Sequence, residues 1–271
     1  MIIGNRESFK TSSIKLLKQS WPYFVLVLLN LPYNYLTNNF LDINSSKTQI
    51  GYFNLSQKLM SPVSLVITFS LSALFPNLSN LWMSDQEKFK NAINTGVRLF
   101  FLVALTMCFV YTSFAEFIIK LFFSAKYFSI ISISQMQIWF VFLMGINSFI
   151  GTIWGATNNE RMLVKSSIIN AVISLPMLYY GSKFGALGLS YGYVVSFAIF
   201  EVYLWIDFKK SINLKIKQDL LLWAMVALLF VMSYFLIKKL SFLIRLVVCL
   251  ITISVNIFLL LKKSKANTVI N

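Results

Sequence analysis

A lysine inside an apolar stretch and a set of amides spaced four apart are the residues of this 271-residue chain best placed to do chemistry. Lys58 lies within the apolar run 55–79, flanked by Asn54, Gln57, Ser61, Thr68 and Ser72. Asn30, Asn34 and Asn38 follow one another at i, i+4 and i+8 and so share a helix face, with Pro32 between them. Asn147 interrupts a third apolar run, Asn170 and Ser174 a fourth, and Asn256 a fifth. Hydrocarbon offers such groups no hydrogen-bond partner, so their presence within apolar runs demands an account. One account is a wet cavity between helices, lined by amides and hydroxyls. The other is hydrogen bonding from helix to helix, worth about 0.6 kcal/mol per contact.

Lys58 has two accounts as well. Its ammonium either reaches back to the outer headgroups along its apolar stem, or faces an aqueous cavity and binds an anionic group such as pyrophosphate. Glu116 and Lys120, at i and i+4, are predicted to pair at the membrane interface. Glu201 is expected at a solvated helix end, a proton- or cation-accepting role being the alternative. Gly151-x-x-x-Gly155 and Gly188-x-x-x-Gly192 permit close approach of neighbouring helices.

Other chemistries are excluded by what is missing. The chain has no histidine, which removes His-dependent hydrolases and acyltransferases and most zinc enzymes. No Asp-x-x-Asp pair stands ready for Mg²⁺, no Gly-rich phosphate loop occurs, and no nucleophile has a base beside it. A catalytic site, a metal and a cofactor are therefore not expected. Cys108 and Cys249 both fall in apolar runs and are expected to pack as small hydrophobes.

The elements that must position these residues follow from composition. Apolar residues make up 58% of the chain, charged residues 12%, and mean hydropathy is +0.73. That is an all-α polytopic membrane protein, with apolar residues enough for seven or eight spans of roughly 20 residues each. Eight spans are predicted, at 20–40, 55–79, 95–117, 133–155, 164–181, 185–206, 220–237 and 242–261. Pro176 should kink or tilt the fifth, and 118–131 reads as an interfacial stretch. The first run is too long for a cleavable signal and is expected to be retained.

The net charge of +15 would suggest nucleic acid in a soluble protein. Here the cations lie between the apolar runs and point to loops and anionic headgroups instead. Sixteen Lys and Arg fall on one side of the alternating spans and eight on the other, predicting both termini in the cytoplasm. The expected organisation is an N-terminal segment 1–19, a six-helix lobe 20–206, a basic loop 207–219, a helix pair 220–261 and a tail 262–271.

Three stretches carry a family likeness. The run from Gly51 to Ser79, with Gly51-Tyr52, Lys58-Leu59, Pro62 and Phe75-Pro76 followed by Ser79, resembles the eighth helix of bacterial polysaccharide (O-antigen) repeat-unit flippases and the related lipid II flippases. These belong to the multidrug/oligosaccharidyl-lipid/polysaccharide exporter superfamily. Phe184-Gly185-Ala186-Leu187-Gly188 resembles the start of a late helix, and the stretch 117–127 an apolar run ending in a Phe-Gly turn, with Ser124 in place of the glycine.

The resemblance implies the second six-helix lobe plus a C-terminal helix pair, in the bacterial inner membrane. It implies translocation of undecaprenyl-pyrophosphate-linked oligosaccharide units for surface polysaccharide or lipopolysaccharide. Lys58 would then meet the pyrophosphate, and Asn30, Asn34, Asn54, Gln57 and Asn147 would line the path for sugars. Asn38 stands where relatives carry an aspartate, with Asp42 one turn on, which weakens the case for cation coupling there. The partners implied are the lipid-linked oligosaccharide, membrane lipids, and a separately encoded N-terminal lobe or a polysaccharide polymerase. The alternatives are an organic-cation antiporter of the same superfamily, against which the lysine argues by like-charge repulsion, an envelope-assembly enzyme, and a non-transporting fragment.

Overall fold

The structure is a computed structural model that describes residues 20, 21, 24, 25, 28, 35–212, 219–232, 244–252 and 254. The described residues fold into helices and form no strand. In chain order these are α1 (35–44), α2 (Lys47–Ser84), α3 (Gln86–Phe122), a short 3₁₀ turn (Ala125–Tyr127), α4 (Ile130–Ala156), α5 (Glu160–Ser182), α6 (Gly185–Ser211), α7 (Asp219–Val231) and α8 (244–252). Five of them, α2 to α6, are long and apolar enough to cross a membrane, and each contains one of the predicted spans. The predicted spans 20–40, 220–237 and 242–261 lie partly outside the described residues.

Helices outrun the apolar runs that announce them. At 38 and 37 residues, α2 and α3 are about 57 and 55 Å long, well beyond the ~30 Å hydrocarbon layer. The predicted interfacial stretch 118–131 is not a separate element. Its first five residues extend α3, whose last turns hold the Glu116–Lys120 pair at 2.6 Å. The chain then turns at Phe123 and Ser124. Ser124 has φ −69°, a value open to any residue, so the turn does not need the family's glycine.

Three contacts define one rim of the bundle. Asn44 Nδ2 donates to Ser182 Oγ (2.9 Å), the Ala186 N–H donates to Gln49 Oε1 (2.9 Å), and the Tyr52 hydroxyl donates to the Lys126 carbonyl (3.0 Å). The opposite rim is tied by Trp154 Nε1, which donates to Ser211 Oγ (2.9 Å), and by the Lys165–Asp207 pair (3.1 Å). The helices therefore alternate in direction as the apolar runs predicted.

At the centre is α4, which carries no charged residue and packs against α2, α3, α5 and α6. Rings of Phe101, Phe142, Trp139, Trp205, Trp223 and Phe230 interlock across α3, α4, α6 and α7. Within this apolar mass α3 and α4 share one polar staple. Gln135 Nε2 donates to the Thr112 carbonyl (2.8 Å), and Trp139 Nε1 donates to Thr112 Oγ1 (3.1 Å). The Thr112 hydroxyl itself donates to the Cys108 carbonyl (2.8 Å). Thr112→Val keeps the volume but strands the buried indole N–H. A loss of about 1–3 kcal/mol is expected, read as a lower unfolding midpoint in detergent, with Thr112→Ser close to the parent.

The two cysteines are free and buried, as expected, and the Cys108 thiol donates to the Ile138 carbonyl (3.4 Å). Arg245 of α8 donates to the Ser113 carbonyl (3.4 Å) and lies 3.8 Å from Glu116, fastening α8 to the end of α3.

The Phe184–Gly188 motif has a separate physical reason at each of three positions. Gly185 adopts φ +73°, a left-handed value that favours glycine. The backbone N–H of Ala186 is the first of α6 to find a side-chain acceptor, Gln49. Gly188 lies flat against α5, where a Cβ would stand 2.5 Å from the Gly181 carbonyl oxygen.

Candidate functional site

The helix that carries three of the six candidate residues, α2, is also the least covered of the five long helices. α2 continues through both Pro62 and Pro76. Proline has no N–H, so Pro62 leaves the carbonyl four residues back, that of Lys58, without its helical donor. The Ser61 hydroxyl fills the gap, donating to the Lys58 carbonyl at 2.8 Å. The helix is thereby repaired beside the lysine by a side chain rather than by the backbone.

On the inward side of this repaired turn, α2, α4, α5 and α6 enclose a cleft of about 560 Å³. α2 contributes Gln57, Met60, Ser61 and Ser64. α4 contributes Gln137, Phe140, Val141, Met144, Asn147 and Ser148, at i, i+3, i+4, i+7, i+10 and i+11, which is a single face. α5 adds Ser167 and Asn170, and α6 adds Tyr193 and Phe197. Amides, hydroxyls and aromatic rings thus share one wall.

Several of these polar groups retain hydrogen-bonding capacity. Gln137 Nε2 donates to the Phe53 carbonyl (3.4 Å), while its Oε1 is buried without a partner among the described residues. Asn170 Oδ1 accepts from Ser174 (2.8 Å). The hydroxyls of Ser61, Ser64 and Ser148 donate back to their own helices and keep lone pairs for incoming donors. Such a surface offers paired donors and acceptors beside flat apolar rings, which suits the hydroxyls and C–H faces of a sugar. Among the described residues no three His, Cys, Asp or Glu converge to hold a metal ion.

The candidate residues predicted from the sequence divide into four groups. Gln57 and Asn147 come from distant parts of the chain and meet in the cleft. Asn54 is half-buried one turn before Gln57 and is not on the lining. Lys58 is exposed, turned about 100° around α2 from Gln57, and makes no ion pair among the described residues. It stands beside the cleft, not inside it. Asn30 and Asn34 lie outside the described residues.

The polar face of α2 continues to Thr68 and Ser72, which are exposed and bonded to their own helix. Gln137, Ser148, Ser167 and Asn170 also line the cleft and were not among the predicted path residues. The signal for Gln137 and Ser148 was available in their spacing from Asn147 along α4. Glu201 corrects an expectation: it is 0% exposed, and neither carboxyl oxygen has a hydrogen-bond partner among the described residues, so it is not a solvated helix end.

A second hollow of about 590 Å³ lies between α2 and α3. It is lined chiefly by apolar groups, among them Ile67, Leu71, Leu74, Leu99 and Phe100, with Ser70, Asn91 and Thr95 beside them. Along α2 the residues facing this hollow, Ile67, Leu71 and Leu74, lie on a stripe turned roughly 100° from the one that carries Gln57, Ser61, Ser64 and Thr68.

Comparison with known proteins gives this arrangement a family. The profile of the family described as "Lipid II flippase MurJ" matches residues 5–267. Among solved structures, the lipid II flippase MurJ in an inward closed conformation is similar, with a TM-score of 0.71 and 17% identity. That likeness shows the fold. It covers 93% of this chain and 56% of the other, so this chain spans little more than half the length of the solved relative. No curated protein matches the sequence. With nearly its whole length inside the family profile, the chain is a multi-pass membrane protein that belongs to the MurJ lipid II flippase family of transporters.

Proposed function

We propose that the chain forms the C-terminal lobe of a flippase, and that its polar cleft carries the saccharide part of a polyprenyl-pyrophosphate-linked precursor across the membrane. The carrying observation is the cleft itself, where Gln57, Asn147 and Asn170 line a space of about 560 Å³ together with Phe140 and Tyr193. Lys58, exposed beside this cleft, supplies the cation that a pyrophosphate requires. The family described above names lipid II as its substrate. The finer reading keeps the same chemistry for an undecaprenyl-pyrophosphate-linked oligosaccharide repeat unit, of O-antigen type.

Asn54 would extend the hydrophilic path by one turn, and Asn30 and Asn34 would continue it on the preceding span. The exposed polar stripe of α2 through Thr68 and Ser72 would face a complementary N-terminal lobe, since solved relatives are longer. Both termini would lie on the cytoplasmic face of the inner membrane, with the basic segments there.

The experiment is a translocation assay in proteoliposomes, with fluorescent lipid II and a labelled repeat-unit lipid offered separately to the chain, with and without a complementary lobe. Replacing Gln57 and Asn147 together by leucine removes two amides from the wall. At about 0.5–1.5 kcal/mol for each hydrogen bond, the rate should fall about tenfold. Translocation at the parent rate by the double variant would remove the cleft from the path.

A further inference from the structure

One ionisable group in the bundle takes no part in the cleft wall or the rims. Glu201 is fully buried, and neither of its oxygens has a hydrogen-bond partner among the described residues. It lies on α6 at i+4 from Phe197 and i+8 from Tyr193, continuing the stripe that lines the cleft. Its depth follows from the packing of α4 on α6. Phe140 meets Tyr193 and Phe197 at 4.5 and 4.9 Å between ring centroids, and Trp154 bonds Ser211. The two helices therefore run in the same direction, and Glu201 falls level with Met144 to Asn147, at the cleft.

Its neighbours along α6 are Phe197, Phe200, Leu204 and Trp205, all buried. α4 carries no charged side chain at all. On α5 the charged groups are Glu160, Arg161 and Lys165, near its start, and Lys165 is committed to Asp207. On α2 they are Lys47 and Lys58. α3, which reaches α6 through the Phe101–Trp205 contact, brings Arg98 one turn from that contact, and α7 brings Asp219 at its start. None of them hydrogen-bonds to Glu201. An unpaired carboxylate in such surroundings is among the most unfavourable states a bundle can contain, and taking up a proton removes the charge. A metal ion is a poor substitute, since among the described residues no three His, Cys, Asp or Glu converge to hold one.

We propose that Glu201 is a proton-binding site that couples passage of substrate through the cleft to proton movement. In the packing seen here, one carboxyl oxygen carries a proton taken from water. When substrate or a change of packing separates α6 from α4, water reaches the group, the O–H bond breaks, and the proton returns to solvent with no electron transferred. The coupling role rests on the flippase reading above, whereas the proton site does not.

Infrared difference spectroscopy on the full chain in lipid tests the site directly. A protonated carboxyl gives a carbonyl band separate from those of carboxylates. The expected result is such a band at acid and neutral pH, lost on raising the pH, lost in Glu201→Gln, and retained with a shift in Glu201→Asp. No band, or a band that survives every pH, overturns the proposal. In proteoliposomes the rate of lipid II translocation should depend on pH in the parent and in Glu201→Asp, and become flat in Glu201→Gln. Unchanged pH dependence in that variant overturns the coupling. If even the parent moves no lipid-linked substrate, the flippase reading fails while the infrared titration still decides whether Glu201 binds a proton.

Discussion

Gly188→Ala is expected to destabilise the bundle more than alanine does at a glycine with ordinary contacts. A Cβ at Gly188 would stand 2.5 Å from the Gly181 carbonyl oxygen and 2.5 Å from Phe184 Cβ, and a Cβ at Gly181 would stand 2.6 Å from the Gly188 oxygen. These obstacles are chiefly backbone atoms, which cannot rotate aside as a side chain can. Relief requires α5 and α6 to separate along their hairpin, where Gly192 also approaches the Met177 carbonyl within 2.9 Å of a Cβ. In a membrane this costs close packing that no hydrophobic force replaces. Overpacking of this kind costs about 1–3 kcal/mol, and Gly188→Val should exceed it. The comparison is Gly151→Ala, whose Cβ would meet Leu163 at an ordinary 3.5 Å, and which should unfold within about 0.5 kcal/mol of the parent. Denaturant unfolding in detergent distinguishes the two. Equal midpoints for the two alanine variants would show that the hairpin is not held by contact of its glycines.

The second large effect concerns function. Lys58→Ala should lower translocation of a pyrophosphate-linked lipid about tenfold to a hundredfold, because a hydrogen bond to a charged group contributes about 1.5–3 kcal/mol. Lys58→Arg keeps the cation and should keep most of the rate. The side chain is exposed and makes no ion pair among the described residues, so neither change should disturb the fold. The loss should also shrink as salt is raised, since an exposed cation is screened. A parent-like rate in Lys58→Ala would assign the lysine to the outer headgroups instead.

Span positions were readable from the sequence because apolar runs longer than 18 residues have few other uses. Helix ends were not. The polar residues from Lys47 to Asn54 and from Gln86 to Asn94 continue α2 and α3 beyond the runs, and hydropathy gives no warning of that. Gln57 and Asn147 stood out as amides in apolar surroundings, and both reached the cleft. The offset of Lys58 from the lining could not be foreseen, because one residue of rotation turns a side chain by about 100°. Glu201 was misread because Asp207, Lys209 and Lys210 follow it closely and suggest a helix already leaving the membrane. α6 is apolar around most of its circumference, so its sequence carries little sign of which side turns inward. Only the rings packed from α3, α4 and α7 decide that.

The hydroxyl that repairs α2 at Pro62 has a mechanical meaning. An amide donor is fixed in its peptide plane, whereas the Ser61 hydroxyl can swing off the Lys58 carbonyl and return to it. Bending at this turn therefore has to interrupt one side-chain contact and not a continuous ladder. A helix of about 57 Å behaves at that point like two stiff rods joined by a soft coupling, with Gln57 and Lys58 carried together on the shorter arm.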